Sequence, residues 1–236
     1  MTGVLVSKAG PVTLQCDSES TIDQPEVVVD LTTEVRWFFD EPLPAGVLDW
    51  FTTDSLGLRE DRSDTYRVDD PEEMGVKWRF GTTLELKLRL SPPEPFSIDR
   101  KRHGRLEIWR RWSPAGDRVT LLEDTGWIDV DKMIIKRRFD LEGHEVPLSQ
   151  QNRAMEGEGC DCEVASVTVA GRPGWTVAFA AFGPLDFHRD AIYAAWNHLR
   201  ATSNIPSELK LDEPDSMGYP EWLTKIAPPR PYQGRR

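Results

Sequence analysis

The chain has 236 residues, 39% of them hydrophobic, with a formal net charge of −11. That size and apolar content suit one large β-rich domain, or one domain with appendages. The charge excludes a general nucleic-acid binder, whose surface must be basic to meet phosphate backbones. Cys16, Cys160 and Cys162 are too few for a disulfide framework. No secretory core follows Met1, and no apolar run reaches membrane-spanning length. The sequence thus predicts a cytoplasmic protein with no membrane and no nucleic-acid partner.

In chain order, residues 1–26 read as an N-terminal extension with short apolar alternation at Val4, Val6, Val12 and Leu14. Residues 27–31 are β-branched, and in 32–39 Val35, Trp37 and Phe39 alternate with Glu34 and Arg36, which predicts a strand. Residues 42–51 read as a short helix with Val47, Leu48 and Phe51 on its apolar side. Residues 62–68 read as a strand carrying Tyr66 and Val68 against Arg67.

The strongest period-two pattern runs over 76–90. Val76, Trp78, Phe80, Leu84, Leu86, Leu88 and Leu90 share one face; Lys77, Arg79, Glu85, Lys87 and Arg89 share the other. A three-residue loop at 81–83 keeps the faces in phase. It sets Arg79 against Glu85 and Lys77 against Lys87, a like-charge pair that calls for water or an anion between them.

Prolines 92, 93 and 95 then stop the pairing. Residues 105–112 and 127–139 follow as strands, with 143–159 as a polar loop. A hairpin joins 160–169 to 175–182. A helix starts at Asp186 as N-cap, with Ile192, Ala195, Trp196 and Leu199 on its inner face. A short helix at 221–226 precedes a Pro- and Arg-rich disordered tail at 227–236. About eight strands in hairpin order predict a mainly β (α+β) protein: one domain over 27–226, an antiparallel eight-stranded tunnel-like barrel with a few peripheral helices.

Cys160 and Cys162 have no histidine pair beside them to complete a zinc set, and no Gly-rich phosphate loop or nucleophile elbow occurs. What remains is cations and carboxylates on strands: Glu34 and Arg36, Lys77 and Arg79, Glu85, Lys87 and Arg89, Glu107 and Arg110, Lys136 and Arg138, then Glu163. Phosphate chemistry uses both kinds, cations on phosphate oxygens and carboxylates on a hard divalent ion.

This order of strands, with inward Glu and Lys/Arg alternation and a late hairpin followed by a helix, resembles the CYTH domain, or triphosphate tunnel metalloenzyme, superfamily. Thr32-Thr33-Glu34-Val35-Arg36 resembles the family's Glu-x-Glu-x-Lys signature, with Thr32 at the first Glu and Arg36 at the Lys. Ala180 falls at an expected acidic position, and the 218–223 segment resembles the family's closing segment in altered form. The resemblance implies an eight-stranded tunnel that binds a small phosphorylated or anionic ligand, with Mg2+ or Mn2+ if it hydrolyses a triphosphate. It implies Arg36, Lys77, Arg79, Lys87, Arg89, Arg110, Lys136 and Arg138 on phosphates, and Glu34, Glu85, Glu107 and Glu163 on metal. Two alternatives from other classes are a barrel scaffold for protein contacts and a lipocalin-like barrel for an apolar ligand. The first discriminator is whether the strand cations point inward or outward.

Overall fold

The computed structural model describes residues 27–55, 57–68, 70–79, 83–114, 126–149 and 157–226. The expected extension, tail and 81–82 turn residues lie outside them. Ten strands run in chain order: β1 (Val27–Phe39), β2 (Leu58–Arg67), β3 (Met74–Arg79), β4 (Thr83–Arg89), β5 (Glu94–Ser97), β6 (His103–Pro114), β7 (Trp127–Phe139), β8 (Glu145–Val146), β9 (Gly159–Val169) and β10 (Arg172–Phe182). Eight of them close a ring in the order β1, β10, β9, β7, β2, β3, β4, β6 and back to β1, every pairing antiparallel. The expected eight-stranded antiparallel barrel is therefore present. Two short strands lie off the ring: β5 beside β6 and β8 beside β7. Pro95 lies on β5, where the sequence suggested a stop; an edge strand tolerates a residue with no N–H to donate.

The register of the central hairpin differs from the expected one. Lys77 faces Glu85 and Gly75 faces Lys87, so no two lysines oppose each other. Arg79 pairs with Thr83. The observed offset replaces a like-charge pair with an ion pair, Lys77 Nζ to Glu85 Oε2 at 2.8 Å, and Arg79 reaches the same carboxylate at 3.2 Å. The β9–β10 hairpin is as expected and tighter. Ala170 and Gly171 both take positive φ, the two-residue turn whose twist matches its flanking strands.

Two separate cores result from one barrel. On the outside, α1 (Ala45–Thr52) and α2 (His188–Thr202) cover the wall made by β1, β10, β9 and β7. Trp37, Trp175 and Phe179 pack there against Phe51, Trp50 and Trp196. Arg137 holds α1 in place: it is buried, ion-paired with Glu145, and donates to the Phe51 carbonyl at 2.9 Å. Helix α2 begins at His188, not at an Asp186 cap. Asp186 lies in a 3-10 turn, Leu185–Phe187, and no side chain caps the helix. His188 turns into the protein instead, with Nδ1 2.7 Å from the Thr33 hydroxyl and Nε2 3.0 Å from the Gly183 carbonyl.

The second core is inside the barrel. Phe38, Ala165, Val167, Ile134 and Val130 face the lumen in phase with Arg36, Glu163 and Lys132. Helix α3 (Tyr219–Ile226) adds Trp222 and Leu223 to them. Trp222 stacks on Phe38 with ring centroids 4.4 Å apart and planes 12° from parallel. This plug makes the lumen blind on that side.

Candidate functional site

The rest of the lumen is charged, because the inward positions of nearly every ring strand are ionic. Strand β1 sends in Glu34 and Arg36; β3 sends Lys77 and Arg79; β4 sends Glu85 and Lys87; β7 sends Lys132 and Lys136; β9 sends Asp161 and Glu163. Arg62 comes from β2, and Arg111 with Trp109 from β6. The cavity lining thus holds eight Lys/Arg side chains and four Asp/Glu. Ala178 and Ala180 of β10 make its one uncharged strand wall, and Tyr219 with Pro220 closes over it. About 130 Å³ is open to water-sized groups, room for a small ligand.

Ion pairs order these side chains. Arg36 donates to Glu163 at 2.9 Å; Lys87 pairs with Glu34; Lys77 and Arg79 share Glu85. Asp64, fully buried on the inward face of β2, meets Lys132 at 3.0 Å, Arg62 at 3.2 Å and Lys77 at 3.4 Å. Burial alone would raise the Glu34 carboxyl, but Lys87 and Arg36 hold it at about 2. Glu85, Glu163 and Asp64 are likewise pulled well below the carboxylate range by their cations, against the opposing push of burial. Glu107 moves the other way: burial raises it, and Glu34, directly opposite across β1 and β6, adds to the rise.

Eight of the twelve predicted site residues share the cavity lining. Arg36, Lys77, Arg79, Lys87 and Lys136 line the cavity with Glu34, Glu85 and Glu163. Arg89, Glu107 and Arg138 are nearly buried but fall outside the lining: Arg89 is bound to Glu107 at 2.9 Å, and Arg138 grips Asp161 through two contacts of 2.6 and 3.0 Å. Arg110 is a correction. It is exposed on the outer face, because residues alternate along β6 and Glu107, Trp109 and Arg111 take the inner positions. Arg62, Asp64, Arg111, Lys132 and Asp161 belong to the site although the sequence did not single them out. Each sits two or four residues from another inward ionic group, a signal present in the period of β2, β6, β7 and β9. Tyr219 was not available that way, since its position depends on the C-terminal segment folding back over the lumen.

The expected metal set does not gather. Glu34, Glu85, Glu107 and Glu163 come from four different strands, and each is engaged by a cation. Among the described residues, the one group of three potential ligands within 4.8 Å of one another is Asp140, Glu142 and His144, in the turn after β7 and outside the tunnel. Among the described residues, no three potential ligands inside the barrel lie within 4.8 Å of one another. Among the same residues, no helix is long and apolar enough to cross a membrane.

No family model matches the chain, and no curated protein matches it. Among solved structures, the S. pombe Pct1 RNA triphosphatase, in complex with the Spt5 CTD, matches with a TM-score of 0.35 and 9% identity, over 74% of this chain and 80% of that one. A likeness of that strength assigns neither family nor activity, and the CYTH likeness stays a resemblance.

Proposed function

We propose that the chain binds a phosphorylated or otherwise anionic small ligand in the blind lumen of its barrel. The observation that carries this is a concave cavity whose lining holds eight Lys/Arg and four Asp/Glu in a chain whose net charge is −11. A concave low-dielectric wall concentrates the field of the cations that line it, and an anion is the ligand such a wall attracts. Exposure indicates which cations a ligand meets first. Lys87 and Lys136 keep 30% and 29% of their side chains accessible, Arg79 and Arg111 21%, and Lys77 15%. Lys87, Lys136, Arg79 and Arg111 are paired with Glu34, Asp161, Glu85 and Asp30 in turn, and their exposed sides are where phosphate oxygens would add.

The test is a thermal-shift titration with tripolyphosphate, with and without magnesium. Binding to the native state alone raises the melting temperature once ligand exceeds its dissociation constant. The expected result is a shift that needs no magnesium, falls with added salt, and disappears in the Lys87→Ala/Lys136→Ala variant. A shift that requires magnesium would support divalent-metal-dependent triphosphate hydrolysis instead. No shift in any condition would overturn the anion reading in favour of a protein-contact scaffold.

A further inference from the structure

Deep in the lumen, one lysine is placed unlike the others. Lys132 keeps 2% of its side chain exposed, yet it lines the cavity. Its Nζ donates to the Tyr66 hydroxyl at 2.6 Å and lies 3.0 Å from Asp64 Oδ2. It sits 4.7 Å from the centre of the Tyr66 ring and 4.1 Å from that of Tyr219. The two rings stack, with centroids 5.2 Å apart.

The charge balance around it is uneven. Asp64 serves three cations, Arg62, Lys77 and Lys132. Arg62 has a second carboxylate in Glu60, and Lys77 has one in Glu85. Among the described residues, Lys132 has Asp64 as its one paired carboxylate, with Glu163 of β9 acting at longer range and Arg36 5.0 Å from the centre of the Tyr219 ring. Of the two cations that face it across Asp64, Arg62 cannot release a proton and Lys77 keeps a carboxylate at 2.8 Å. Lys132 is thus the group that relieves the crowding by becoming a neutral amine. Burial pushes its amine well below the usual lysine range; Asp64 opposes this, and Lys77 and Arg62 reinforce it.

We infer that Lys132 is an imine-forming amine, and that the tunnel accepts a small carbonyl compound bearing a phosphate or carboxylate. This rests on the anion reading above, since the tunnel cations hold the charged end. The Nζ lone pair adds to the carbonyl carbon to give a carbinolamine. Loss of one water, made from the carbonyl oxygen and the two amine protons, leaves a C=N bond between ligand and lysine. No oxidant or reductant is consumed. Tyr66, kept protonated by burial, touches Nζ and can pass a proton to the departing hydroxyl.

The probe is glycolaldehyde phosphate, with sodium borohydride to reduce the imine and peptide mass mapping to locate it. Addition is expected at Lys132 at least tenfold faster than at Lys225, whose side chain is 52% exposed. Its pH midpoint should lie below the ordinary lysine value of about 10.4, and tripolyphosphate should suppress it. Lys132→Arg should remove that adduct alone, and Tyr66→Phe should slow its formation. Labelling at Lys132 no faster than at Lys225, or with the same pH midpoint, overturns the inference. If tripolyphosphate raises the melting temperature but Lys132 stays unlabelled, the imine fails and the anion reading stands. If glycolaldehyde without phosphate labels Lys132 equally well, the anion-guided form is overturned; if tripolyphosphate also gives no shift, the anion reading falls with it.

Discussion

The two parts of the lumen are built by the same strands in the same alternation, and they do opposite things. Along β1 the inward residues pass from Glu34 and Arg36 to Phe38; along β9 they pass from Asp161 and Glu163 to Ala165, Val167 and Val169. At one side most inward groups are charged, and the charged ones are answered by opposite charges. At the other, α3 fills the space with Trp222 and Leu223. The plug gives the barrel interior an apolar area to bury, about 25 cal/mol per Å² of it. The ionic part contributes little net stability, because desolvation of each ion offsets most of its attraction. A barrel of this kind is held together by its plug and its helix-covered outer wall, which leaves its ionic part available for a ligand.

The hardest way to break this division is to remove one shared carboxylate from the ionic part. Asp64→Ala leaves Arg62, Lys77 and Lys132 without their common partner and should cost about 3–5 kcal/mol in urea denaturation. If the loss is below about 1 kcal/mol, the cations are neutralised in another way and the ionic part is less tightly coupled than its geometry indicates. Next comes the plug: Trp222→Ala empties the space over Phe38 and should cost about 3–4 kcal/mol by the same measure. Opening that side should leave the tripolyphosphate shift in place, which separates structure from binding.

Acid should find the ionic part before the plug. Glu34 is held at about 2 when folded, against an ordinary 4.5. Between those values the unfolded chain binds the extra proton, so stability falls as pH falls. The contribution is complete above about pH 5 and is on the order of 1 kcal/mol smaller by pH 3.5. A melting curve against pH should show that decline, with Glu34→Gln flattening it. Glu107, raised by burial, contributes in the reverse direction. The smallest effect belongs to the outer wall away from the helices, where Leu90 is 44% exposed. Leu90→Glu should change stability by no more than about 0.5 kcal/mol.

The alternation that places Lys77, Arg79, Glu85 and Lys87 on one face is legible in sequence, and so is the hairpin between β9 and β10. Period two is local, and the backbone enforces it residue by residue. The offset between paired strands is not local. A shift of two residues keeps every face in phase, so hydrophobic pattern alone cannot choose between Lys77 opposite Lys87 and Lys77 opposite Glu85; charge pairing can. Arg110 shows a different failure. Glu107 and Arg110 have opposite parity on β6, so a regular strand cannot aim both inward, and Arg111 was the residue consistent with Glu107. Tyr219 and Trp222 depend on a tail returning to the lumen, and nothing in their own neighbourhood reports the strands they meet.

The ring closure carries a consequence for how the chain becomes a barrel. β1 is bonded on one side to β6 and on the other to β10, with Thr32 opposite Phe182. During synthesis β1 emerges first and waits for nearly the whole sequence before its second edge is covered. Until then Val35 and Trp37, later sealed under α2, stay exposed beside an unpaired edge. Folding of this topology should be slow, dominated by contacts distant in sequence, and prone to association while the ring is open. Chains ending before β10 should collect in the insoluble fraction.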